Sequence, residues 1–515
     1  MSPARVSRDS RRASLFSRRV FSKSLLRRAI TFVLRFALRV FFRRIEVVGA
    51  EHVPRRGACL FVLNHPNGLV DPAFLLCFAP RSVSFLAKSP LFQMPVVSFF
   101  VRALDSIPVY RRQDEGQDTS RNRETFERSA ELLRRGGTIA ICPEGASHSE
   151  PYLLPLKTGA ARIALGAASV KQDGGTGRRG HGEMGRQREE LTGRETPHPS
   201  HVSPSPRLPL SPSSLSIVPA GLYYTAKTTF RSGALLYFGE PIPVSSVEPD
   251  EQGEPPRERV RELSDRIAGA LRSLTLNADR HEALAMVARA ERIFSSEDDE
   301  EEPSLERELR RRRRFVEAYA FHRRHSPERL EVLEKRIRQY EEELRQAGIE
   351  DPRQLSAATV SEYARARTIL PRVLGFALLS PVAAAGAALH YPAYRLAGLL
   401  ATKLSQSDDD VLSTFKIAAA MLLFPLTWVA LAVACYFLAG WWGVSAALLC
   451  APAAGYVALR TREEFDRFVA GARAALFFVR ERSFFRLLLE ERRHIRREIL
   501  ALGDEAERAS ALDQA

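Results

Sequence analysis

The sequence predicts an α/β domain, followed by a charged helical region and a C-terminal transmembrane helical hairpin. In the first half of the chain, short apolar runs typical of buried strands alternate with segments of helical period and with Pro/Gly breaks. Near the C-terminus, residues 417–459 form 43 positions without a charged residue. A single helix of that length would measure about 65 Å, twice the thickness of a bilayer core. Two spanning helices that turn at residues 440–443 fit better, with tryptophans in the turn at the interface.

The positive charge of the chain is concentrated at its N-terminus. The 515 residues carry a formal net charge of +15. Residues 1–50 contribute eleven of these charges, because 12 arginines and Lys23 stand there against Asp9 and Glu46. A basic block interleaved with large apolar residues indicates an anionic membrane surface, whereas one without them would indicate nucleic acid. We therefore expect membrane lipid, and no nucleic acid, among the partners.

Residues 1–44 are predicted to be a basic N-terminal segment that contains an interfacial amphipathic helix. From residue 22 to residue 44, large apolar side chains form a broad surface. Arginines recur on one helical face at spacings of seven and four: Arg28, Arg35, Arg39 and Arg43. Charges at this spacing suit a helix that lies in the membrane interface better than one that spans the bilayer. An uncleaved signal-like segment is the alternative, although no small-residue cleavage site follows it.

A short polar loop carries the candidate catalytic residues. Residues 58–63 suit a buried strand, residues 73–78 suit a packed helix, and residues 66–68 (Pro-Asn-Gly) break regular structure between them. His65 and Asp71 thus share a strand-to-helix turn, where α/β folds place reactive groups. A carboxylate bonded to one imidazole nitrogen fixes the tautomer and stabilises the imidazolium, so the pair suits proton abstraction. The alternative is a histidine that only caps the turn.

The chain divides into six predicted regions. The basic segment (1–44) is followed by an α/β domain at 45–255, in which the Gly-, Arg-, Ser- and Pro-rich residues 171–215 form a disordered insertion. Next come a charged helical region at 256–350 and a linker at 351–412, which includes a re-entrant or interfacial apolar segment at 373–389. The transmembrane hairpin (413–460) and a charged C-terminal helix (461–515) come last. In the charged helical region, large apolar residues recur at spacings of three and four positions, which predicts a helix that packs within the molecule. They are Leu330, Leu333, Ile337, Tyr340 and Leu344.

The five cysteines show no paired spacing along the chain: Cys59, Cys77, Cys142, Cys435 and Cys450. We expect no disulfide framework, no metal site and a reducing compartment.

Four blocks follow one another within residues 45–245. They are the His65/Asp71 loop, Ile-Pro-Val-Tyr-Arg at 107–111, Pro-Glu-Gly at 143–145 and Val-Pro-Ala-Gly at 218–221. In this order and spacing they resemble the glycerolipid acyltransferase family, which includes lysophosphatidate and glycerol-3-phosphate acyltransferases. The resemblance implies a mixed sheet flanked by helices and the transfer of a fatty acyl group from an acyl thioester to a glycerol-phosphate hydroxyl.

Three departures from the commoner family pattern point to one subgroup. Five residues separate the histidine from the aspartate instead of four, Asp105 stands where the second block usually opens with Gly, and residues 146–148 (Ala-Ser-His) replace Thr-Arg-Ser. Pro-Glu-Gly-Ala-Ser-His followed by Leu-Leu-Pro-Leu-Lys is similar to the fungal-type glycerol-3-phosphate/dihydroxyacetone-phosphate acyltransferases. Those also have the longer spacing and C-terminal membrane segments.

The resemblance implies a role for each block. The histidine and aspartate of the first block would be the catalytic residues, acting by direct transfer without a Ser or Cys nucleophile and without a cofactor. Arg111 would bind the acceptor phosphate, and Lys157 could replace the missing arginine of block three. Glu144 and Gly145 fall where the family lines the acceptor site. A structural pairing of Arg111 with Asp105 or Asp114 is the alternative for that residue.

We therefore expect a membrane-bound glycerol-3-phosphate or dihydroxyacetone-phosphate 1-O-acyltransferase of phospholipid synthesis, with acyl-CoA or acyl-ACP as co-substrate and acyl carrier protein as a possible partner. The alternative is a 1-acyl-sn-glycerol-3-phosphate (lysophosphatidate) acyltransferase, and a remoter one is a non-catalytic lipid-binding membrane protein. Lys416 before the hairpin and Arg460 and Arg462 after it put both ends on the cytoplasmic side, and we expect the catalytic domain to face the cytoplasm.

Overall fold

The computed structural model describes residues 25–94, 97–111, 121–169, 215–294, 304–349, 351–352, 366–406 and 408–513. Almost all of the predicted insertion, residues 171–215, lies outside the described residues; its last residue, Leu215, is buried. Residues 1–24 of the basic segment also lie outside them.

A mixed sheet forms the centre of the first domain, as predicted. Within the described residues it has eight strands in the order β1-β7-β6-β2-β5-β3-β4, and β8 pairs with β6. The pairs of β7 and β8 with β6 are antiparallel and the other pairs are parallel. The strands are β1 Arg44–Val48, β2 Cys59–Leu63, β3 Ser84–Lys88, β4 Ile107–Val109, β5 Thr138–Ile141, β6 Ser216–Tyr224, β7 Gly233–Phe238 and β8 Ile242–Pro243.

Helices cover both faces of the sheet, and β2 shows why its sequence is apolar throughout. Cys59, Phe61 and Leu63 point into one core with helices α1 and α2, whereas Leu60 and Val62 point into a second core with α5 and α6. A central strand buried on both faces needs apolar residues at every position. The helices of this domain are α1 (residues 25–41), α2 Val70–Phe78, α3 Val97–Ala103, α4 Asn122–Arg134, α5 Gly159–Ala168 and α6 Arg257–Leu274.

Helix α6 extends the sheet domain beyond the predicted boundary at residue 255. The sequence prediction assigned this segment to the charged helical region because charged residues dominate it. In the structure, its buried side chains Val260, Leu263, Ile267 and Leu271 join the core on the face that β2 shares with α5. The apolar stripe of the helix, rather than its overall charge, therefore determines where it packs.

A second, helical domain has its own core. It combines α7 His281–Phe294, α8 Leu305–His325, α9 Pro327–Gln346 and α12 Arg482–Asp513. The predicted seam of α9 is buried, and Leu333, Ile337, Tyr340 and Leu344 pack with residues of α12 such as Phe485 and Leu488. The C-terminal helix thus returns to complete a core that begins 200 residues earlier.

Two long apolar helices have the length and composition that fit membrane association. They are α10 Ala366–Ser405 and α11 Asp409–Arg480, and only 6% and 11% of their most apolar windows are buried within the protein. Such exposure differs from that of a core helix and fits membrane association. In α11 the backbone leaves helical geometry at Ala439 and Gly440, and the Gly443 backbone lies against the Cys435 carbonyl. The chain therefore reverses where the hairpin was predicted, with a first arm at 409–438 and a second arm at 441–480.

Helix α10 contains the segment at 373–389 that was predicted to be re-entrant or interfacial. It is one continuous helix of 40 residues with three internal prolines, so it does not reverse as a re-entrant segment would. It packs along the hairpin, and the backbone of Gly386 lies against that of Ala454. Neighbouring helices can accommodate the backbone groups that prolines leave unpaired, which allows an interrupted apolar sequence to remain helical.

Candidate active site

His65 and Asp71 are joined by a hydrogen bond at the carboxyl end of β2. The His65 Nδ1 lies 2.9 Å from Asp71 Oδ2, and this bond favours the tautomer in which Nδ1–H donates. The Asp71 side chain is fully buried, whereas that of His65 is 18% exposed. The imidazole can therefore meet a substrate while its aspartate cannot, and Nε2 is the nitrogen able to accept a proton.

Two further donors hold the Asp71 carboxylate. The Asn67 backbone N–H donates to Oδ2 at 2.7 Å, and the Tyr224 hydroxyl donates to Oδ1 at 2.6 Å. Burial raises the pKa of Tyr224 well above its usual value, and the Asp71 carboxylate raises it further. Tyr224 therefore stays protonated and acts as a donor across the physiological pH range.

Asn64 fixes the start of the loop between β2 and α2, residues 64–69, to strand β6. This segment is called the catalytic loop below. Its side-chain amide donates to the Leu222 carbonyl at 3.0 Å and accepts from the Leu222 N–H at 2.7 Å. These two bonds continue the pairing of β2 with β6 beyond Leu63, where the backbone departs into the loop. His65 is thus the first residue beyond a pairing that extends the sheet.

Glu144 is buried next to His65, and protein donors occupy both its oxygens. Oε1 accepts from the His65 backbone N–H at 2.9 Å. Oε2 accepts from the Leu154 N–H at 2.9 Å and lies 2.5 Å from His148 Nε2. The structure therefore places this predicted acceptor-site residue at the site, with its carboxylate positioning the catalytic loop.

Arg111, Gly145 and Lys157 lie together at the Pro-Glu-Gly turn. Arg111 Nη1 donates to the Gly145 carbonyl at 2.7 Å; Asp114, one of its two alternative pairing partners, lies outside the described residues. Gly145 has a φ of +78°, and a Cβ there would collide with the Lys157 side chain. Arg111 and Lys157 thus flank Gly145, and a residue with a side chain at position 145 would displace Lys157.

Lys227, in the turn between β6 and β7, also reaches the catalytic loop. Its Nζ donates to the Pro66 carbonyl at 2.8 Å and to Ser149 Oγ at 2.7 Å. Burial lowers the pKa of Lys227, while the carboxylates of Asp410 and Asp71 raise it. The lysine therefore ties the loop to the segment that follows the Pro-Glu-Gly turn.

Sequence reasoning missed four residues that support this site. Asn64 and His148 stand within or beside the motif blocks, so a search of these blocks for polar side chains could have found them. Tyr224 and Lys227 follow the fourth block by three and six residues, and no local pattern marks them. Within the described residues, no group of three or more His, Cys, Asp and Glu side chains is arranged to hold a metal ion.

Two family models match separate parts of the chain. The family model described as acyltransferase matches residues 44–174, and that described as the C-terminal domain of glycerol-3-phosphate acyltransferase 2 matches residues 286–507. The chain therefore carries an acyltransferase domain followed by a segment similar to the C-terminal domain of glycerol-3-phosphate acyltransferase 2. The second match covers the helical domain together with α10 and α11, so the family resemblance extends beyond the four sequence blocks.

Individual relatives are distant in sequence. Glycerol-3-phosphate O-acyltransferase 2 of Saccharomyces cerevisiae is 26% identical over 330 residues, 62% of this chain and 39% of that protein. The yeast glycerol-3-phosphate O-acyltransferase 1 is 25% identical over 504 residues, 79% of this chain and 61% of that protein. The chain thus spans less than two thirds of these relatives' length. The crystal structure of the 1-acyl-sn-glycerophosphate acyltransferase PlsC from Thermotoga maritima aligns with a TM-score of 0.31 at 19% identity, covering 49% of this chain and 81% of that one.

Proposed function

We propose that the protein is a membrane-bound O-acyltransferase that moves a fatty acyl group from an acyl thioester to the 1-hydroxyl of glycerol 3-phosphate or dihydroxyacetone phosphate. The observation that carries the proposal is the hydrogen bond between His65 and the buried Asp71 in a chain whose relatives are glycerol-3-phosphate O-acyltransferases. This reaction would belong to phospholipid synthesis.

His65 acts as the general base and then as the general acid. Its Nε2 accepts the proton of the acceptor hydroxyl as that oxygen attacks the thioester carbonyl carbon. Asp71, bonded to Nδ1, stabilises the imidazolium that forms. When the intermediate collapses, the carbon–sulfur bond breaks and the departing sulfur takes the proton from Nε2. The ester, the thiol and neutral His65 result, with no residue of the protein acylated and no cofactor required.

Arg111 and Lys157 bind the phosphate of the acceptor. A guanidinium has five N–H donors, so the bond from Arg111 to the Gly145 carbonyl is compatible with a further bond to phosphate. Lys157 is exposed beside the same glycine and supplies a second positive charge. Because Glu144 of the Pro-Glu-Gly turn is bonded to the His65 backbone, two cations at this turn would hold the acceptor close to the imidazole.

The donor is an acyl thioester of coenzyme A or of acyl carrier protein, and its chain comes from the lipid phase. Lys416 precedes the uncharged stretch of the hairpin, and Arg460 and Arg462 follow it. By the positive-inside rule both ends of the hairpin are cytoplasmic, and the catalytic domain, which adjoins them, faces the cytoplasm. The apolar residues that α1 exposes, Leu25, Phe32, Val33 and Phe36, suit contact with the same membrane surface.

An acceptor assay with the purified protein tests the proposal. Acyl-CoA and acyl-ACP are each supplied with glycerol 3-phosphate, dihydroxyacetone phosphate or lysophosphatidate, and we expect the first two acceptors to be used. His65→Ala should lose roughly 10²- to 10⁴-fold in kcat, the contribution of a positioned general base. The exposed His281→Ala is the matched control. Use of lysophosphatidate alone would establish the alternative acceptor, and near-normal turnover by His65→Ala would refute the mechanism.

A further inference from the structure

The first arm of the membrane hairpin contacts the catalytic loop directly. The backbone N–H of Leu69 donates a hydrogen bond of 3.1 Å to Thr414 Oγ1, across 345 positions of sequence. Leu69 lies between His65 and Asp71 in the sequence, so this bond restrains the segment that joins the catalytic pair. Thr414 accepts this hydrogen bond, and neither the sequence blocks nor the local geometry of the loop requires it.

Gly68 shows how closely the arm approaches the loop. Its φ is +39°, and a Cβ there would lie 2.9 Å from the Asp410 carbonyl oxygen, 3.1 Å from Thr414 Oγ1 and 3.3 Å from the Val411 side chain. The first of these distances is too short for a carbon next to a backbone oxygen. The loop can therefore take its present position against the arm only with glycine at residue 68.

The turn between β6 and β7 holds the loop and the arm to each other. The carbonyl of Lys227 accepts a hydrogen bond from the Asn67 side chain at 3.4 Å and another from the Ser413 hydroxyl of the arm. The Lys227 ammonium donates to Pro66, and Lys416 of the arm donates to the Thr228 carbonyl at 2.7 Å. Residues 66–69 are therefore held between the arm and this turn.

The contact lies directly before the apolar stretch of the arm. The uncharged stretch begins at Ile417, directly after the residues that touch the loop. Ile417 itself is buried in the core cluster that contains Val70 and Phe74 of α2, the helix that follows the loop. The arm is thus packed into the catalytic domain at its first turns and enters the lipid beyond them.

We propose that Thr414 is a positioning residue for the catalytic loop, and that docking of the first membrane arm sets the geometry of His65 and Asp71. The inference rests on the proposed function for its effect on turnover, but the contact itself is independent of the reaction. The arm is then part of the catalytic apparatus as well as an anchor.

Hydrogen–deuterium exchange of the full chain in nanodiscs tests the contact without any substrate. Thr414→Val keeps the shape of the side chain and removes the oxygen that accepts from Leu69. Exchange of the peptide covering residues 66–72 should then become about three- to ten-fold faster, as expected for the loss of one hydrogen bond. Thr414→Ser retains the oxygen and should restore the wild-type rate. The matched control is Thr427→Val on the same arm, where the hydroxyl bonds to the carbonyl of Leu423 in its own helix.

Steady-state kinetics of the same variants test the consequence for the reaction. Thr414→Val should lower kcat about two- to ten-fold, with the KM values for donor and acceptor changed by less than about two-fold, because only the loop is displaced. Gly68→Ala should lose more than about ten-fold, since it combines an unfavourable φ with a collision against the arm. Gly253→Ala is its control, because Gly253 also has a positive φ, +76°, but open surroundings.

The outcomes separate the two proposals. If the wild-type protein transfers no acyl group to any acceptor while the exchange results hold, the proposed function fails and the docking contact stands. If Thr414→Val matches Thr427→Val in both exchange and kcat, or if Thr414→Ser fails to restore them, the positioning role of Thr414 is wrong.

Discussion

At the scale of single residues, Asp71 accepts hydrogen bonds from three donors. His65 and Asn67 lie in the loop just before α2, whereas Tyr224 comes from the end of β6, 153 positions away. Three donors around one buried carboxylate fix its orientation, and that orientation fixes the imidazole. The accuracy of the catalytic pair therefore depends on the sheet as much as on the loop.

Tyr224→Phe should lower kcat by about three- to thirty-fold and leave both KM values nearly unchanged, because one buried oxygen of Asp71 loses its donor. The adjacent Tyr223→Phe is the matched control. Its hydroxyl donates to Glu308 at 2.8 Å on the opposite face of the strand, so it should reduce thermal stability without reducing kcat. Equal kinetic losses in the two variants would show that strand integrity, and not the bond to Asp71, is responsible.

Arg111→Ala and Lys157→Ala should each raise the KM for the phosphorylated acceptor by roughly ten- to a hundred-fold, since a charge-assisted contact contributes about 1.5–3 kcal/mol. The KM for the acyl donor should change little. Arg111→Lys should recover only part of the loss, because lysine lacks the planar fork. Arg123→Ala, on the exposed surface of α4, is the control. A shift confined to the donor KM would mean that these cations bind the donor's phosphates instead.

Cys142 is the cysteine nearest to the candidate site, yet its environment opposes a role as nucleophile. Burial raises the pKa of the Cys142 thiol well above its usual value, and the carboxylates of Asp71 and Glu144 raise it further. Cys142→Ala should therefore retain activity within about three-fold from pH 6 to pH 9, because the reactive thiolate is not formed there. Trapping of an acyl-enzyme that disappears in Cys142→Ala would contradict direct transfer.

At the scale of elements, apolar periodicity and Pro/Gly breaks predicted the strand and the helix on either side of the His65/Asp71 loop. The loop that follows the apolar strand is observed, but the helix begins at Val70, three residues before the predicted start, so Asp71 lies in its first turn. Periodicity could not reveal which partners complete the loop. Tyr224, Lys227 and Thr414 arrive from distant elements, and no pattern within the loop specifies them.

The insertion at residues 171–215 gives a prediction at this scale. Deleting residues 174–212 and joining the ends with a short Gly/Ser linker should leave activity within a few-fold of wild type. The entropic cost of closing a loop changes by only about 0.6 kcal/mol for each doubling of its length. Activity and thermal unfolding of the deleted protein provide the measurement. Failure of the shortened chain to fold would show that the segment supports the structure.

At the scale of the whole molecule, a buried ionic cluster joins the two domains. Arg312 pairs with Glu308 at 2.9 Å and lies 3.6 Å from the fully buried Glu291, while Glu308 accepts from Tyr223 of the sheet. Arg231, in the turn that also holds the catalytic loop, pairs with Glu463 of the second arm. The helical domain, the hairpin and the sheet domain are thus connected on the side that carries the catalytic pair.

The separation of Leu69 from Thr414 along the chain has a consequence for biosynthesis. Residues 1–250 emerge from the ribosome long before the hairpin is synthesised. At about 5–20 residues per second, translation of the 345 positions from Leu69 to Thr414 takes about 20–70 s. During that interval the sheet domain can fold, but the contact that completes its catalytic loop does not yet exist. If docking of the first arm sets the geometry of His65 and Asp71 as proposed, newly made chains gain full activity only after the hairpin has been synthesised and inserted, and the proposed acyl transfer begins at the membrane that receives the product.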